Sequence, residues 1–104
     1  MMKCLMWIFS TMEGNLREAR KYAIKAHEIK ERNPAAAKWC ESMARHHLSF
    51  NEEGMAIYHK DLHDMEHMSE YAMLYPGVKA VHEERIADLE RETAEIKAIL
   101  DAHK

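Results

Sequence analysis

Residues 15–40 read N-L-R-E-A-R-K-Y-A-I-K-A-H-E-I-K-E-R-N-P-A-A-A-K-W-C, and the break inside this stretch decides the fold. Upstream of the break, Leu16, Ala19, Tyr22, Ala23, Ala26 and Ile29 recur at helical spacing and form an apolar stripe that needs a core to face. Asn15 to Glu18 has the form of a capping box. The Asn side chain can bond a free N–H of the first turn and Glu18 can reach back, which predicts a helix start at Asn15. Asn33-Pro34 ends that helix and opens the next, with Asn as cap and Pro at the first helical position.

From Ala35 no proline appears until Pro76. The spacing predicts a second helix of about 40 residues, roughly 60 Å long. Gly54, behind N-E-E at 51–53, marks the place for a bend, and Tyr75-Pro76-Gly77 is the other strong breaker. A third helix is predicted from Val78 towards the end of the chain, with Val78, Val81, Leu89, Ile96 and Leu100 inward. Partners of roughly 18 and 27 residues cannot cover both halves of so long a central helix, so a second copy is expected to complete the bundle. The expected fold is therefore all-α: an antiparallel bundle of about three helices with a long central helix, completed by dimerisation. A break near Gly54, giving a compact four-helix bundle, is the alternative. The expected organisation is an apolar N-terminal segment over 1–14 and a single helical domain over 15–104.

Composition narrows the function classes. The chain has 104 residues, and 3 Gly with 2 Pro are too few turn formers for a sandwich or barrel. Its 47% hydrophobic residues exclude a disordered tail, while 32% charged residues exclude an integral membrane protein. A formal charge of −3 argues against a nucleic-acid module, and no segment is basic enough to track phosphates. Cys4 and Cys40 make no C-x-x-C and no disulfide framework, which points to a reducing, cytoplasmic setting. Met1 to Phe9 is nearly continuously apolar but too short for a membrane span and lacks a cleavage site. It is expected to pack on the helices or on a partner subunit.

The chemistry-bearing residues are mostly histidines, eight in number. His59, His63 and His67 stand at successive i, i+4 positions and could hold Zn²⁺ or Ni²⁺. Their face also carries Lys38, Arg45, Glu52, Glu66 and Glu70, so they read as solvated histidines and any metal there as incidental. Cys40, Ala44, Met55, Tyr58, Leu62, Met65 and Ala72 are the expected core side. His47 falls near Met43, Ala44 and Asn51, and His82 faces inward with Val78 and Leu89. These two are either metal ligands or buried polar groups that need hydrogen-bond partners. No phosphate loop, nucleophile elbow or H-E-x-x-H occurs. Cys40 lies six or seven residues from His46 and His47 along one helix, too far for a thiol–imidazole pair.

Glu18 to Lys38, with its Tyr22-Ala23, Ala26, Lys30 and P-A-A-A-K, resembles small ferritin-like, rubrerythrin-related proteins of bacteria and their phages. The similarity continues faintly through Ala80-Val81 and residues 94–98. The resemblance implies a helical bundle, which in active members holds two irons with glutamates and an E-x-x-H. Here that position falls on His47-Leu48-Ser49-Phe50, and the first-helix glutamate falls near Arg20 with Glu18 pointing elsewhere. A di-iron site needs about four inward carboxylates, so the resemblance implies the fold without the oxidase chemistry. The expectation is a non-enzymatic interaction protein, an accessory or inhibitory factor of phage type, without a cofactor beyond adventitious Zn or Ni. Trp7, Phe9, Glu66 and Glu70 are its candidate partner contacts, with Trp39 and Phe50 as further exposed aromatics. The alternative is a ferritin-like metal-binding protein that uses His47 and His82.

Overall fold

The computed structural model describes residues 2–68 and 75–102. It is all-helical over that span: α1 runs Met2–Ile29, α2 Pro34–Glu66 and α3 Tyr75–Asp101. The Asn33-Pro34 break acts as expected. The Asn33 side chain accepts a hydrogen bond from the Ala36 N–H at 3.1 Å, and the Asn33 N–H closes on the Ile29 carbonyl at 2.8 Å. One polar side chain thus satisfies an otherwise free donor of α2, while the tight turn reverses the chain.

Side-chain pairs fix the directions. Met12 meets Asn51, and Asn15 meets His47, so α1 and α2 are antiparallel. Phe9 meets Arg85 and Arg20 meets Glu95, so α3 runs parallel to α1. Glu52 with Lys97 and Arg45 with Asp101 show α3 antiparallel to α2. The result is an up-down-up bundle whose Cα trace extends 58 Å along its axis and 17 by 16 Å across it. α1 and α2 pack along their length, whereas α3 rests mainly on α1 and touches α2 lightly.

The core repeats at heptad-like spacing. Leu5, Met12, Leu16, Ala19, Ala23 and Ala26 of α1 face Ala37, Cys40, Ala44, Leu48, Tyr58, Leu62 and Met65 of α2. Ile86, Leu89, Ile96 and Leu100 of α3 close the third side. Small side chains dominate near the α1–α2 turn, where they let the two backbones approach, and bulkier ones fill the far end. Each fully buried Leu or Ile contributes about 1.5–3 kcal/mol against exposure. Asn51 occupies one such core position. Its amide N–H₂ donates to the Met12 carbonyl at 3.0 Å, while its Oδ1 is buried without a hydrogen-bond partner among the described residues.

Several expectations need correction. The first helix does not start at Asn15. It is already helical from Met2, because Leu5, Ile8, Phe9 and Met12 extend the same stripe onto the core, and this packing overrides the local cap signal. Of the apolar N-terminus, Leu5, Ile8 and Phe9 pack on the core as opening turns of α1, while Met6 and Trp7 are exposed. The second helix is 33 residues, not about 40. It continues unbroken through Gly54, where the missing side chain admits Met12: a Cβ there would stand 3.1 Å from the Met12 Cγ. The third helix begins at Tyr75 rather than Val78, and Val81, expected inward, is exposed. With α1 at 28 residues, the length mismatch that called for a second copy disappears.

Candidate functional site

The sequence points to two inward histidines, and the helices place them in separate neighbourhoods. His82, on α3, is buried and hydrogen-bonds through Nδ1 to the hydroxyl of Tyr58, itself fully buried on α2. The rings meet edge to face, with centroids 5.3 Å apart. Arg85, one turn beyond His82, lies beside this pair and spreads its guanidinium over the Phe9 ring at 5.1 Å from the centroid. Burial pushes the Tyr58 hydroxyl above its ordinary value, with Arg85 pulling the other way. Burial and then the Arg85 charge push the His82 imidazole below its ordinary value. His82 is therefore neutral at pH 7, with its tautomer and orientation set by the phenol.

His47 lies 11 residues before Tyr58 on α2, about 16 Å along the axis. It is half-buried, with Nδ1 3.2 Å from Asn15 Oδ1, and it stacks on Tyr22 at 6.1 Å and 14°. Tyr22 in turn meets Trp39 edge to face at 5.8 Å. Asn15, read from sequence as a cap, is thus a cross-helix partner. His47 and His82 do not converge on a common point.

A metal centre in the core would need inward carboxylates. Among the described residues, the buried polar side chains are Asn51 and His82. Arg20 bridges α1 to α3 through Glu92 at 3.6 Å and Glu95 at 2.7 Å. Glu18 turns to Lys21 at 3.3 Å. Phe50 points outward. The described core offers an imidazole, an amide and a phenol.

His59, His63 and His67 stand exposed, as expected of that face. The structure regroups them: His63 and His67 come together with Glu66, and His59 stays outside. Glu66, expected as a partner contact, therefore sits beside His63. Glu70 lies outside the described residues. Cys4 is exposed and Cys40 buried, both as free thiols.

The expected contact aromatics divide in two. Phe9 is half-buried against the core beneath Arg85. Trp7 is 71% exposed, Trp39 58% and Phe50 57%, and Ile57, not anticipated, is 51% exposed. Trp7, Phe50 and Ile57 line one groove of about 330 Å³ between α1 and α2, with Gly54 in its wall. Tyr22, Ile24, Ile29 and Trp39 line a second groove, of about 590 Å³, nearer the turn. No α3 residue lines either groove. The spacing of Trp39, Phe50 and Ile57 on α2, eleven and then seven residues, brings both grooves onto one side of the hairpin. Sequence periodicity carried the signal for Ile57, because it continues the Trp39–Phe50 row. No helix is long and apolar enough to cross a membrane among the described residues.

Searches of protein-family models, curated proteins and solved structures return no match for this chain.

Proposed function

We propose that this chain is a non-enzymatic helical interaction protein whose α1–α2 face, on the side without α3, is its contact surface. The observation that carries the reading is the alignment of Trp7, Phe50 and Ile57 in one groove with Trp39 further along the same side. Exposed aromatics gathered in this way are where interfaces concentrate binding energy, at about 2 kcal/mol or more for a good anchor. A second copy of the chain is the occupant this face suits. A two-fold axis across its middle would set the apolar groove of one copy lined by Tyr22, Ile24 and Trp39 against the groove of the other lined by Trp7, Phe50 and Ile57. The relationship to ferritin-like proteins is part of the proposal, supported by the Tyr22 to Lys38 block lying across the α1–α2 turn.

Light scattering at micromolar concentration tests it. The wild type is expected at twice its 12.2 kDa chain mass, and Trp7→Glu or Phe50→Glu at a single chain mass with the helical circular dichroism unchanged. A wild-type mass of one chain overturns the reading, as does a dimer that both substitutions leave intact.

A further inference from the structure

We propose that His63, Glu66 and His67 form a binding site for a divalent cation of zinc type at the C-terminal end of α2. The stretch His63-Asp64-Met65-Glu66-His67 puts two imidazoles one helical turn apart on the same face, with a carboxylate beside them. Their rings meet edge to face with centroids 4.8 Å apart, and Glu66 Oε2 stands 3.8 Å from His63 Nδ1. One ligand atom from each of the three lies within 4.8 Å of the others. Ligands in a tetrahedron around zinc, at about 2.0–2.1 Å from the metal, stand roughly 3.3 Å apart. The side chains therefore need to close by up to about 1.5 Å, and all three are exposed, so no packing resists the movement.

The donor set selects the metal. Two imidazole nitrogens and one carboxylate oxygen suit zinc and its transition-metal neighbours better than the oxygen-seeking magnesium or calcium. One carboxylate leaves the bound ion a net positive charge, and the helix end supplies a counter-field. α2 ends at Glu66 with His67 as its cap, so its last carbonyls, the negative pole of the helix, lie at the site. Lys60, the nearest basic side chain along this face, is turned to Asp64 at 3.6 Å. Three protein ligands leave the fourth position to water. The ion would tie the last turn of α2 to its cap.

Calorimetric titration of zinc alone into untagged protein, in a non-chelating buffer, tests the site. One zinc per chain at micromolar affinity is expected. His63→Ala and His67→Ala should each weaken binding at least about tenfold, while His59→Ala leaves it unchanged. The thermal midpoint should rise with zinc in the wild type and in His59→Ala but not in the His63→Ala/His67→Ala double variant. Absence of binding at micromolar protein overturns the proposal, and so does affinity that survives the double substitution. Equal weakening by His59→Ala overturns this ligand set.

Discussion

The Tyr58–His82 pair is where a single atom carries the most weight. In Tyr58→Phe the phenol oxygen disappears and His82 Nδ1 is left buried without its partner. That should cost about 1–3 kcal/mol, read from urea denaturation. The same pair sets a pH dependence. His82 binds its proton less readily folded than unfolded, so the unfolded chain takes up more protons as pH falls below the ordinary value of 6.5. Stability from this group is complete above that pH and is lost as pH drops through the lowered folded value. At the other limit, Tyr58 holds its proton more tightly folded, so stability falls again as pH rises above 10.0. Urea midpoints across pH 5–8 should decline towards acid in the wild type, and His82→Gln should flatten the decline. An equally steep decline in His82→Gln would assign it to other groups. That His82 faces inward was legible from its spacing to Leu89. Its partner was not, because Tyr58 lies 24 residues away and helical periodicity says nothing about which side chains meet across a bundle.

Among the elements, α1 shows most clearly how local signals yield to packing. N-L-R-E is a sound start signal for an isolated segment, yet the helix continues back to Met2 because Leu5 and Met12 are buried on α2 and α3 side chains. Gly14 pays for this continuity as a helix-interior glycine. A Cβ at Gly14 would meet only the Arg17 guanidinium, at 3.8 Å, an ordinary contact. Gly14→Ala should therefore stabilise the protein by about 1 kcal/mol. Gly54→Ala should stabilise less or not at all, since its Cβ crowds the Met12 Cγ at 3.1 Å and Sδ at 3.2 Å. Urea midpoints of the two variants give the comparison, and equal gains would mean that Met12 moves aside freely. Sequence places the α1–α2 turn correctly because Asn33-Pro34 acts locally, through the Asn33 side chain and the Pro34 ring. It misplaced the bend at Gly54, where the glycine serves helix approach and not chain reversal.

For the whole molecule, the uneven packing of α3 predicts how it opens. α1 and α2 share an extensive interface, whereas α3 leans on α1 and leaves a cleft of about 310 Å³ towards α2, lined by Leu48, Met55, Leu89 and Thr93. The bridges from Arg20 to Glu92 and Glu95 are solvent-facing and add little. Amide hydrogen exchange should therefore be faster across residues 78–100 than in the buried turns of α1 and α2, with α3 released as a unit. Uniform protection in all three helices would show that the bundle opens only as a whole. The helical class was legible from periodicity and from the scarcity of turn formers. The outward face was legible only in part: the sequence marks Trp7 and Phe50 as apolar, but only the packed hairpin sets them side by side.

The elongation of the backbone, 58 Å against 17 by 16 Å, has a hydrodynamic consequence. An elongated bundle drags more solvent than a sphere of equal mass and tumbles faster about its axis than end over end. On a sizing column calibrated with globular standards, a single chain will elute somewhat ahead of its true mass. Amide nitrogen-15 relaxation will also differ between N–H bonds aligned with the helices and those in the turn at 30–33, without any difference in internal motion.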